Sequence, residues 1–317
     1  MSGQHARLSA SSAHRWLRCA GSVKLAEGAP ASTSIHAATG TYAHDIAAKC
    51  AARNASPLLW LGARQEVDGH EVCCDQEMVD SVRLYLDAIA ADVQADDRSW
   101  TEMPLQLPLS QIDPDLGGTA DYVRYRPSAK HLRVMDFKYG AGMYVEADDN
   151  TQMKIYALGA LLAVGEPAEI IEMVIVQPRF EGAKPVRSYS CKAVELLDFI
   201  ADIKDAAAKT RDPQAETMLE PGDWCKFCKA SAGCPALEAK QHALLAVEFG
   251  LVPSYTKLAQ ALSIIPLVKA RISAIEELAY TEAAAGRFGE EYGYKLVDKR
   301  PTRKWKSEDA VVEWAQA

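Results

Sequence analysis

The chain has 317 residues, of which 49% are hydrophobic and 25% are charged, and its formal net charge is -8. This composition excludes a disordered chain, a collagen-like repeat and a coiled coil, and it suffices for a large domain with or without an appendage. The acidic balance weighs against a protein that coats nucleic acid. It remains compatible with a locally basic cleft, because net charge averages over the whole surface.

The sequence predicts a cytoplasmic protein. It contains no run of about 18 apolar residues, so we expect no transmembrane helix. The first residues lack the apolar core of a signal peptide. In the cytoplasm the eight cysteines should be reduced, so their spacing is more informative than their even number.

Patterns typical of helices and strands alternate over most of the chain. Apolar residues at helical spacing predict helices over residues 10–27, 37–52, 75–95, 148–164 and 193–209. Short apolar runs bounded by turn residues predict strands over residues 99–107, 118–126, 131–138, 172–177 and 186–191. This order predicts an α/β domain over residues 1–237, with a mixed sheet flanked by helices.

The rest of the chain, residues 238–317, predicts a mostly helical C-terminal extension. A long helical pattern covers residues 255–285, and the last residues, 304–317, also predict a helix. The residues themselves assign no role to this extension.

The most informative segment is residues 117–140. Asp121 lies on one predicted strand, and Asp136 and Lys138 lie on the next. Alternate residues of a strand share a face, so Asp136 and Lys138 point the same way. A short turn between the two strands would make a hairpin and bring Asp121 close to Asp136.

Two carboxylates at a strand end form a site that suits Mg²⁺ or Mn²⁺, and the main-chain carbonyl of Phe137 could add a third oxygen ligand. Lys138, next to such a metal, could orient or help to deprotonate an attacking water. These groups favour phosphodiester hydrolysis. A single D-x-K pattern is more often a solvated surface pair, so the interpretation depends on further residues.

Three further residues favour a site at this position. Gln152 and Tyr156 are four residues apart on the following predicted helix, hence on one helical face, and could hold a substrate phosphate. His44, on an N-terminal helix, could complete a metal site through a ring nitrogen. Taken singly, each is equally compatible with an ordinary structural residue.

Three cysteines form a C-x2-C-x5-C pattern, Cys225, Cys228 and Cys234, which is a strong signal for a soft metal. The best candidate for a fourth ligand is Cys19, near the other end of the chain. Three clustered cysteines and one remote partner match a [4Fe–4S] cluster better than zinc, whose ligands usually come as two close pairs. We expect the cluster to act as a structural staple, and zinc remains the alternative.

Together these motifs resemble the PD-(D/E)XK nuclease superfamily. The closest likeness is to the RecB-type branch with an iron–sulfur cluster, which includes the AddB nuclease domain and the iron–sulfur exonucleases of CRISPR adaptation, and to members encoded by phages and prophages. The resemblance covers residues 10–237. The motifs that carry it are Gly40-x-x-x-His44, Gly118-x-x-Asp121, Asp136-x-Lys138, Gln152-x-x-x-Tyr156 and the split set Cys19, Cys225, Cys228 and Cys234.

The resemblance implies a restriction-endonuclease-like core and a function for each motif. It implies that His44, Asp121, Asp136 and the Phe137 carbonyl bind Mg²⁺ or Mn²⁺. Lys138 would be the catalytic lysine. By the same resemblance, Gln152 and Tyr156 would position DNA. Glu102 would be an accessory acidic residue, and the four cysteines would hold a [4Fe–4S] cluster.

The implied activity is metal-dependent cleavage of DNA, most readily from an end of a single strand, in phage-type recombination or DNA processing. DNA is the expected partner, with a recombination or replication protein as a second. The alternative is a non-catalytic nuclease-like protein that binds DNA or a partner and carries a structural metal cluster.

Basic and aromatic residues near the motifs could contact the DNA strand. The basic residues would form a positive track, and the aromatic residues would stack on unpaired bases. Solvated charges and half-buried rings are the ordinary alternatives. The residues concerned are Arg124, Arg126, Lys130, Arg133, Lys154 and Arg179, and the aromatic residues Trp16, Tyr139 and Tyr144.

Overall fold

The computed structural model describes residues 6–29, 34–247 and 254–297. The strands are β1 (Leu8–Ser9), β2 (Arg64–Val67), β3 (His70–Cys73), β4 (Arg98–Pro104), β5 (Leu116–Gly117), β6 (Thr119–Arg126), β7 (His131–Phe137), β8 (Ile170–Val176) and β9 (Val186–Lys192). The helices are α1 (Ala13–Trp16), α2 (Gly21–Ala26), α3 (Ile35–Arg53), α4 (Gln76–Ala90), α5 (Gln106–Leu109), α6 (Thr151–Val164), α7 (Ala193–Thr210), α8 (Pro235–Leu245) and α9 (Tyr255–Ala284).

The main sheet has five strands in the order β4-β6-β7-β8-β9. The pair β7 and β8 is parallel, and the other neighbours are antiparallel, so the sheet is mixed as predicted. The parallel pair requires a crossover, which α6 provides. Two small additions, the parallel pair β1 and β5 and the hairpin β2–β3, lie outside this sheet.

Helices cover both faces of the sheet. One face packs against α3 and α4, with Phe137, Met135 and Val176 among the strand residues in that core. The other face packs against α6 and α7 and the N-terminal segment, with Val123 and Val134 in its core. The predicted α/β class, with a mixed sheet flanked by helices and a helical C-terminal region, is confirmed.

The start of α6 is fixed by a side-chain cap. The Asn150 side chain accepts a hydrogen bond from the Met153 N–H at 3.1 Å, and Gly165 ends the helix in the left-handed conformation. These two signals place the first turn of α6 beside the end of β7. Gln152 therefore lies at the sheet end where Asp136 is found.

The single helix predicted over residues 10–27 is wrong. The segment instead forms a 3-10 turn and the short helices α1 and α2, with Cys19 in the break between them. The break allows a close approach of two chain segments, since the Gly21 N–H donates to the Met218 carbonyl at 2.9 Å. The hairpin β2–β3 was not predicted, because its charged residues lack the apolar alternation of a half-buried strand.

The C-terminal helices α8 and α9 pack against each other and against the turns that carry the cysteines. The predicted domain boundary after residue 237 falls inside α8. The predicted helix over residues 304–317 lies outside the described residues.

Contrary to the sequence expectation, α9 is long and apolar enough to cross a membrane by length and composition alone, within the part of the chain that the structure describes. Its most apolar stretch has a mean hydropathy of 1.4. One such helix is weak evidence for a membrane span. The cytoplasmic location stays a prediction.

Gly21 offers a test of this packing. A Cβ atom at this position would lie 2.5 Å from the Ala215 carbonyl oxygen and 2.7 Å from Leu219 Cδ2. We expect Gly21→Ala to lower the free energy of unfolding by about 2 kcal/mol, because the nearest neighbour is backbone and cannot rotate away. Gly40→Ala is the matched control, since a Cβ there meets nothing within 4 Å inside a helix and should stabilise by up to about 1 kcal/mol. Chemical denaturation measures both, and equal effects would contradict the close approach.

Candidate functional site

Asp121 and Asp136 lie at the same end of the neighbouring antiparallel strands β6 and β7. The strand register pairs Tyr122 with Met135, which places the two aspartates at the next position along the hairpin. Asp136 is 2% exposed, and the Asp121 Oδ2 atom accepts a hydrogen bond from the Phe137 N–H at 2.7 Å. The predicted convergence of the two carboxylates is therefore present in the structure.

Lys138 and Gln152 complete a polar network around Asp136. Lys138 Nζ lies 2.8 Å from Asp136 Oδ2 and donates to Gln152 Oε1 at 3.1 Å. Gln152 Nε2 lies 3.1 Å from both Asp136 Oδ1 and the Tyr156 hydroxyl oxygen. The two residues predicted to share a helical face thus both face the carboxylates.

His44 approaches the carboxylates from the opposite layer of the fold. It projects from α3, and its Nδ1 lies 3.4 Å from Asp121 Oδ2. Its ring packs against Phe137, with 5.4 Å between ring centroids. Asp121 is therefore contacted by a sheet N–H on one side and by a helix side chain on the other.

Burial and the neighbouring charges shift the pKa values of Asp136, Asp121 and His44. Burial raises the pKa of Asp136, and the charge of Asp121 adds to this despite the opposing effect of Lys138. Burial would also raise the pKa of Asp121, but His44, the Phe137 N–H and Lys138 lower it below its ordinary value. For His44, burial opposes protonation, but the charge and hydrogen bond of Asp121 outweigh it and raise the pKa. Charge is thus concentrated and mutually compensated at this strand end.

The chemistry of this donor set suits a hard divalent cation. Asp136 is buried and the Asp121 side chain is 14% exposed, and Asp136 Oδ2 has an ion pair with Lys138 but no hydrogen bond of good geometry. Such an oxygen has coordination capacity to spare. Among residues 6–29, 34–247 and 254–297, no three His, Cys, Asp or Glu side chains converge as ligands of one ion would. The metal sites therefore stay predictions. At Phe137, whose carbonyl is a predicted ligand, the contact that the structure records is the hydrogen bond from its N–H to Asp121.

Glu102 lies on β4 opposite Asp121. The register pairs Thr101 with Tyr122 and Met103 with Ala120, so Glu102 falls at the intervening position. Its backbone has a φ of 51°, which non-glycine residues rarely adopt. Partial burial raises its pKa to about 7, and the charge of Asp121 contributes. A strained backbone and a raised pKa beside a buried carboxylate are typical of functional positions.

The four cysteines of the predicted cluster line one pocket. Cys19 comes from the break between α1 and α2, and Cys225, Cys228 and Cys234 come from the turns before α8. Apolar side chains, including Trp224 and Leu237, close the pocket around them. The long-range pairing of Cys19 with the C-terminal set, predicted from spacing alone, is present in the structure.

Backbone N–H groups point at two of the sulfur atoms. The Glu220 N–H donates to Cys19 Sγ and the Gly222 N–H donates to Cys225 Sγ, both at 3.4 Å. Burial raises the pKa of Cys225, the Gly222 N–H opposes the rise, and the other three thiols add to it. N–H groups directed at thiolates, inside a shell of apolar side chains, suit the ligation of a metal cluster.

The predicted positive track is wrong, because each of its six basic residues faces a carboxylate. Arg124 is 2% exposed and donates to the Ala91 carbonyl at 3.0 Å, so it is a structural residue. The ion pairs are Arg124–Asp97, Arg126–Asp97, Lys130–Glu169, Arg133–Glu172, Lys154–Asp149 and Arg179–Glu77. The acidic partner is 5 residues away in sequence for Lys154 and 27 to 102 residues away for the other five cations, so sequence spacing does not reveal most of these pairs.

Two of the three aromatic residues expected to stack on bases are buried. Trp16 is fully buried, and its indole N–H donates to the Ser9 carbonyl at 3.0 Å. Tyr139 is buried beneath the Arg179 guanidinium. Tyr144 remains partly exposed.

The fold and the site define a mixed α/β protein with a compensated carboxylate pair at one sheet end and four cysteines that line one pocket. The chain belongs to the DUF2800 family, described as a protein of unknown function, whose family model matches residues 5–317. The match covers both the candidate site and the C-terminal helices.

Glu102 gives a prediction on stability in buffer that contains EDTA. The raised pKa means that folding favours the protonated acid, so stability is retained below about pH 4.5 and is lost as the pH rises to about 7. Glu102→Gln, which mimics the protonated acid, should raise the free energy of unfolding at pH 8 by about 1 kcal/mol and change it little at pH 5, since solvent screens part of the effect. The control is Glu181→Gln, an exposed loop residue, and the same pH dependence in both variants would refute the assignment.

Proposed function

We propose that this protein is a metal-dependent DNA nuclease of the PD-(D/E)XK superfamily, in the RecB-like branch with an iron–sulfur cluster. The proposed substrate is single-stranded DNA or a DNA end, and the proposed setting is phage-type recombination or DNA processing. The observation that carries the proposal is the convergence of Asp121, Asp136 and Lys138 at one strand end. Two separate sequence motifs, Gly118-x-x-Asp121 and Asp136-x-Lys138, meet there, as the sequence resemblance requires.

Asp121 and Asp136 would hold Mg²⁺ or Mn²⁺, with His44 and the Phe137 carbonyl as further ligands. A metal bound there supplies a Lewis acid for the phosphate and lowers the pKa of a bound water. The pKa shifts of Asp121 and Asp136 support this assignment. A bound cation would replace the charge compensation that Lys138 and His44 now provide to the two carboxylates.

Lys138 is the proposed catalytic lysine. Its ammonium group lies at Asp136 Oδ2, where it can offset negative charge that develops on a phosphate oxygen. Gln152 holds this ammonium group through Oε1 and holds Asp136 through its amide N–H, so it fixes the relative positions of the two. Tyr156, behind Gln152, has a pKa raised by burial and stays a neutral hydroxyl that can donate to a phosphate.

Cys19, Cys225, Cys228 and Cys234 would hold a [4Fe–4S] cluster with a structural task. Their common pocket and the N–H groups directed at Cys19 and Cys225 support this assignment. The remaining cysteines are not part of the set. Cys50, for example, lies on α3 and is fully buried in the core, and burial raises its pKa to about 11.

Variants of the candidate site should lose cleavage. Lys138→Ala and Asp136→Asn should each lower cleavage of end-labelled single-stranded DNA at least about 100-fold with Mg²⁺ or Mn²⁺. The first removes the ammonium group that offsets charge on the reacting phosphate, and the second removes a proposed ligand of the metal. The assay uses protein purified without oxygen. Asp136→Asn should melt no lower than the wild type, since burial already disfavours the ionised acid.

The control for these variants is Lys209→Ala, an exposed lysine of α7 that pairs with Asp205. It should cleave like the wild type. Full activity in Lys138→Ala would refute the proposed site. A wild-type protein that contains its cluster and binds DNA but does not cleave it would favour the non-catalytic alternative.

A separate prediction concerns the iron–sulfur cluster. Cys225→Ser should lose iron and sulfide and the visible absorbance of an iron–sulfur protein, and its melting temperature should fall. Cys50→Ser, which changes a buried core thiol, should keep the iron. Elemental analysis of both variants distinguishes the outcomes. Zinc in place of iron in the wild type would refute the iron–sulfur cluster but not the structural role of the metal site.

A further inference from the structure

A pocket of about 510 Å³ lies on the N-terminal segment, between α1, α2 and the cysteine turns. Hydroxyl and basic side chains dominate its polar lining, and one aromatic ring contributes to its wall. The side chains that bear on its chemistry are Ser9, Ser11, Ser12, His14, Arg15, Phe227 and Lys229.

The pocket borders on the candidate catalytic site. Ala10, between two of its serines, packs near Gly118 and Tyr156, since a Cβ atom at Gly118 would lie 3.3 Å from Ala10 Cβ and 2.7 Å from Tyr156 Cε1. Partial burial and the charge of Arg15 lower the pKa of His14, and the charge of Lys138 contributes to the same shift. A strand held at Lys138 could therefore extend to the pocket.

The pocket carries positive charge that the protein does not neutralise. Within the described residues, Arg15 and Lys229 meet no carboxylate, and Arg15 is anchored by one nitrogen to the Ser22 hydroxyl and carbonyl oxygens at 2.8 and 3.1 Å. Arg7, at the pocket edge, is paired with Glu27 at 2.9 Å. This contrasts with the six basic residues of the predicted track, each of which has an acidic partner.

Phe227 lies beside Lys229 in the same loop and is 58% exposed. An exposed phenylalanine next to unpaired cations offers a flat face on which an unpaired base can stack while the cations hold the phosphate. The aromatic residues predicted from the sequence do not provide such a face, because Trp16 and Tyr139 are buried.

We propose that this pocket binds one nucleotide of a single-stranded DNA substrate, adjacent to the phosphate at the carboxylate site. Arg15, Lys229 and the serine hydroxyls bind the phosphate, and Phe227 stacks on the base. The inference rests on the proposed nuclease function for its substrate class, but the binding it describes is measurable without cleavage.

Charge reversal within one loop tests the phosphate contact. The probe is a fluorescein-labelled oligothymidylate, and binding to the full chain is measured by fluorescence anisotropy in EDTA. We expect Lys229→Glu to weaken binding about 10-fold and to reduce the slope of log affinity against log salt by about one. Lys240→Glu makes the same charge change at an exposed position of α8, outside the pocket lining, and should change binding less than about twofold.

An abasic oligonucleotide tests the stacking contact. Phe227→Ala should weaken binding of the normal oligonucleotide about 5- to 10-fold and leave binding of the abasic one unchanged. Lys229→Glu should weaken binding of both. Thymidine monophosphate as competitor distinguishes a strand site from a site for free nucleotides, since a strand site should require millimolar competitor.

The outcomes separate this inference from the proposed function. Cleavage that depends on Lys138, with Phe227→Ala and Lys229→Glu binding like the wild type, would overturn the pocket and leave the nuclease intact. Equal losses in Lys240→Glu and Lys229→Glu would also overturn it, as would a wild type that does not bind the oligonucleotide. Pocket-dependent binding without cleavage would support the pocket and overturn the nuclease.

Discussion

Two neighbouring carboxylates at one end of the sheet, the buried Asp136 and the largely buried Asp121, constrain the rest of the fold. Withdrawing both from water is costly unless opposite charges and N–H donors surround them. The compensation comes from three layers: the Phe137 N–H from the sheet, His44 from one helical face, and Lys138 held by Gln152 on the other. The helices on both faces are therefore tied to one polar centre, which lies where the cores of the two faces meet.

The cysteine set is the second constraint, and it acts over the longest distance in the chain. Cys19 and Cys225 are brought together by backbone contacts that include the Gly21 N–H to the Met218 carbonyl. A cluster bonded to both would close a loop of about 200 residues, worth about 5 kcal/mol in chain entropy. The turns that carry it also support α9, so the C-terminal helices rest on the same loop. The staple would hold three regions at once: the N-terminal segment, the cysteine turns and the C-terminal helices.

The sequence predicted most of the sheet and the convergence of the site, because both follow from local periodicity. Asp136 and Lys138 share a strand face, and Gln152 and Tyr156 share a helix face, so their side chains had to point together once the strand and helix were adjacent. Periodicity did not reveal the break at Cys19, which depends on a backbone contact with residue 218. Nor did periodicity reveal that Arg124 is buried in an ion pair with Asp97, since ion pairs between distant segments leave no local pattern.

The failure of the predicted positive track has a physical consequence for the distribution of charge. With a net charge of -8, the overall field of the protein does not attract DNA, so the proposed contact with DNA would depend on cations that lack an acidic partner. Within the described residues Arg15 and Lys229 have no such partner, and they flank the two segments that carry Cys19 and Cys228. The contacts that would position the cluster ligands would then also position the cations of the pocket. In this arrangement the cluster would contribute to DNA binding without redox chemistry. It would fix the geometry of a binding surface that the sheet does not provide.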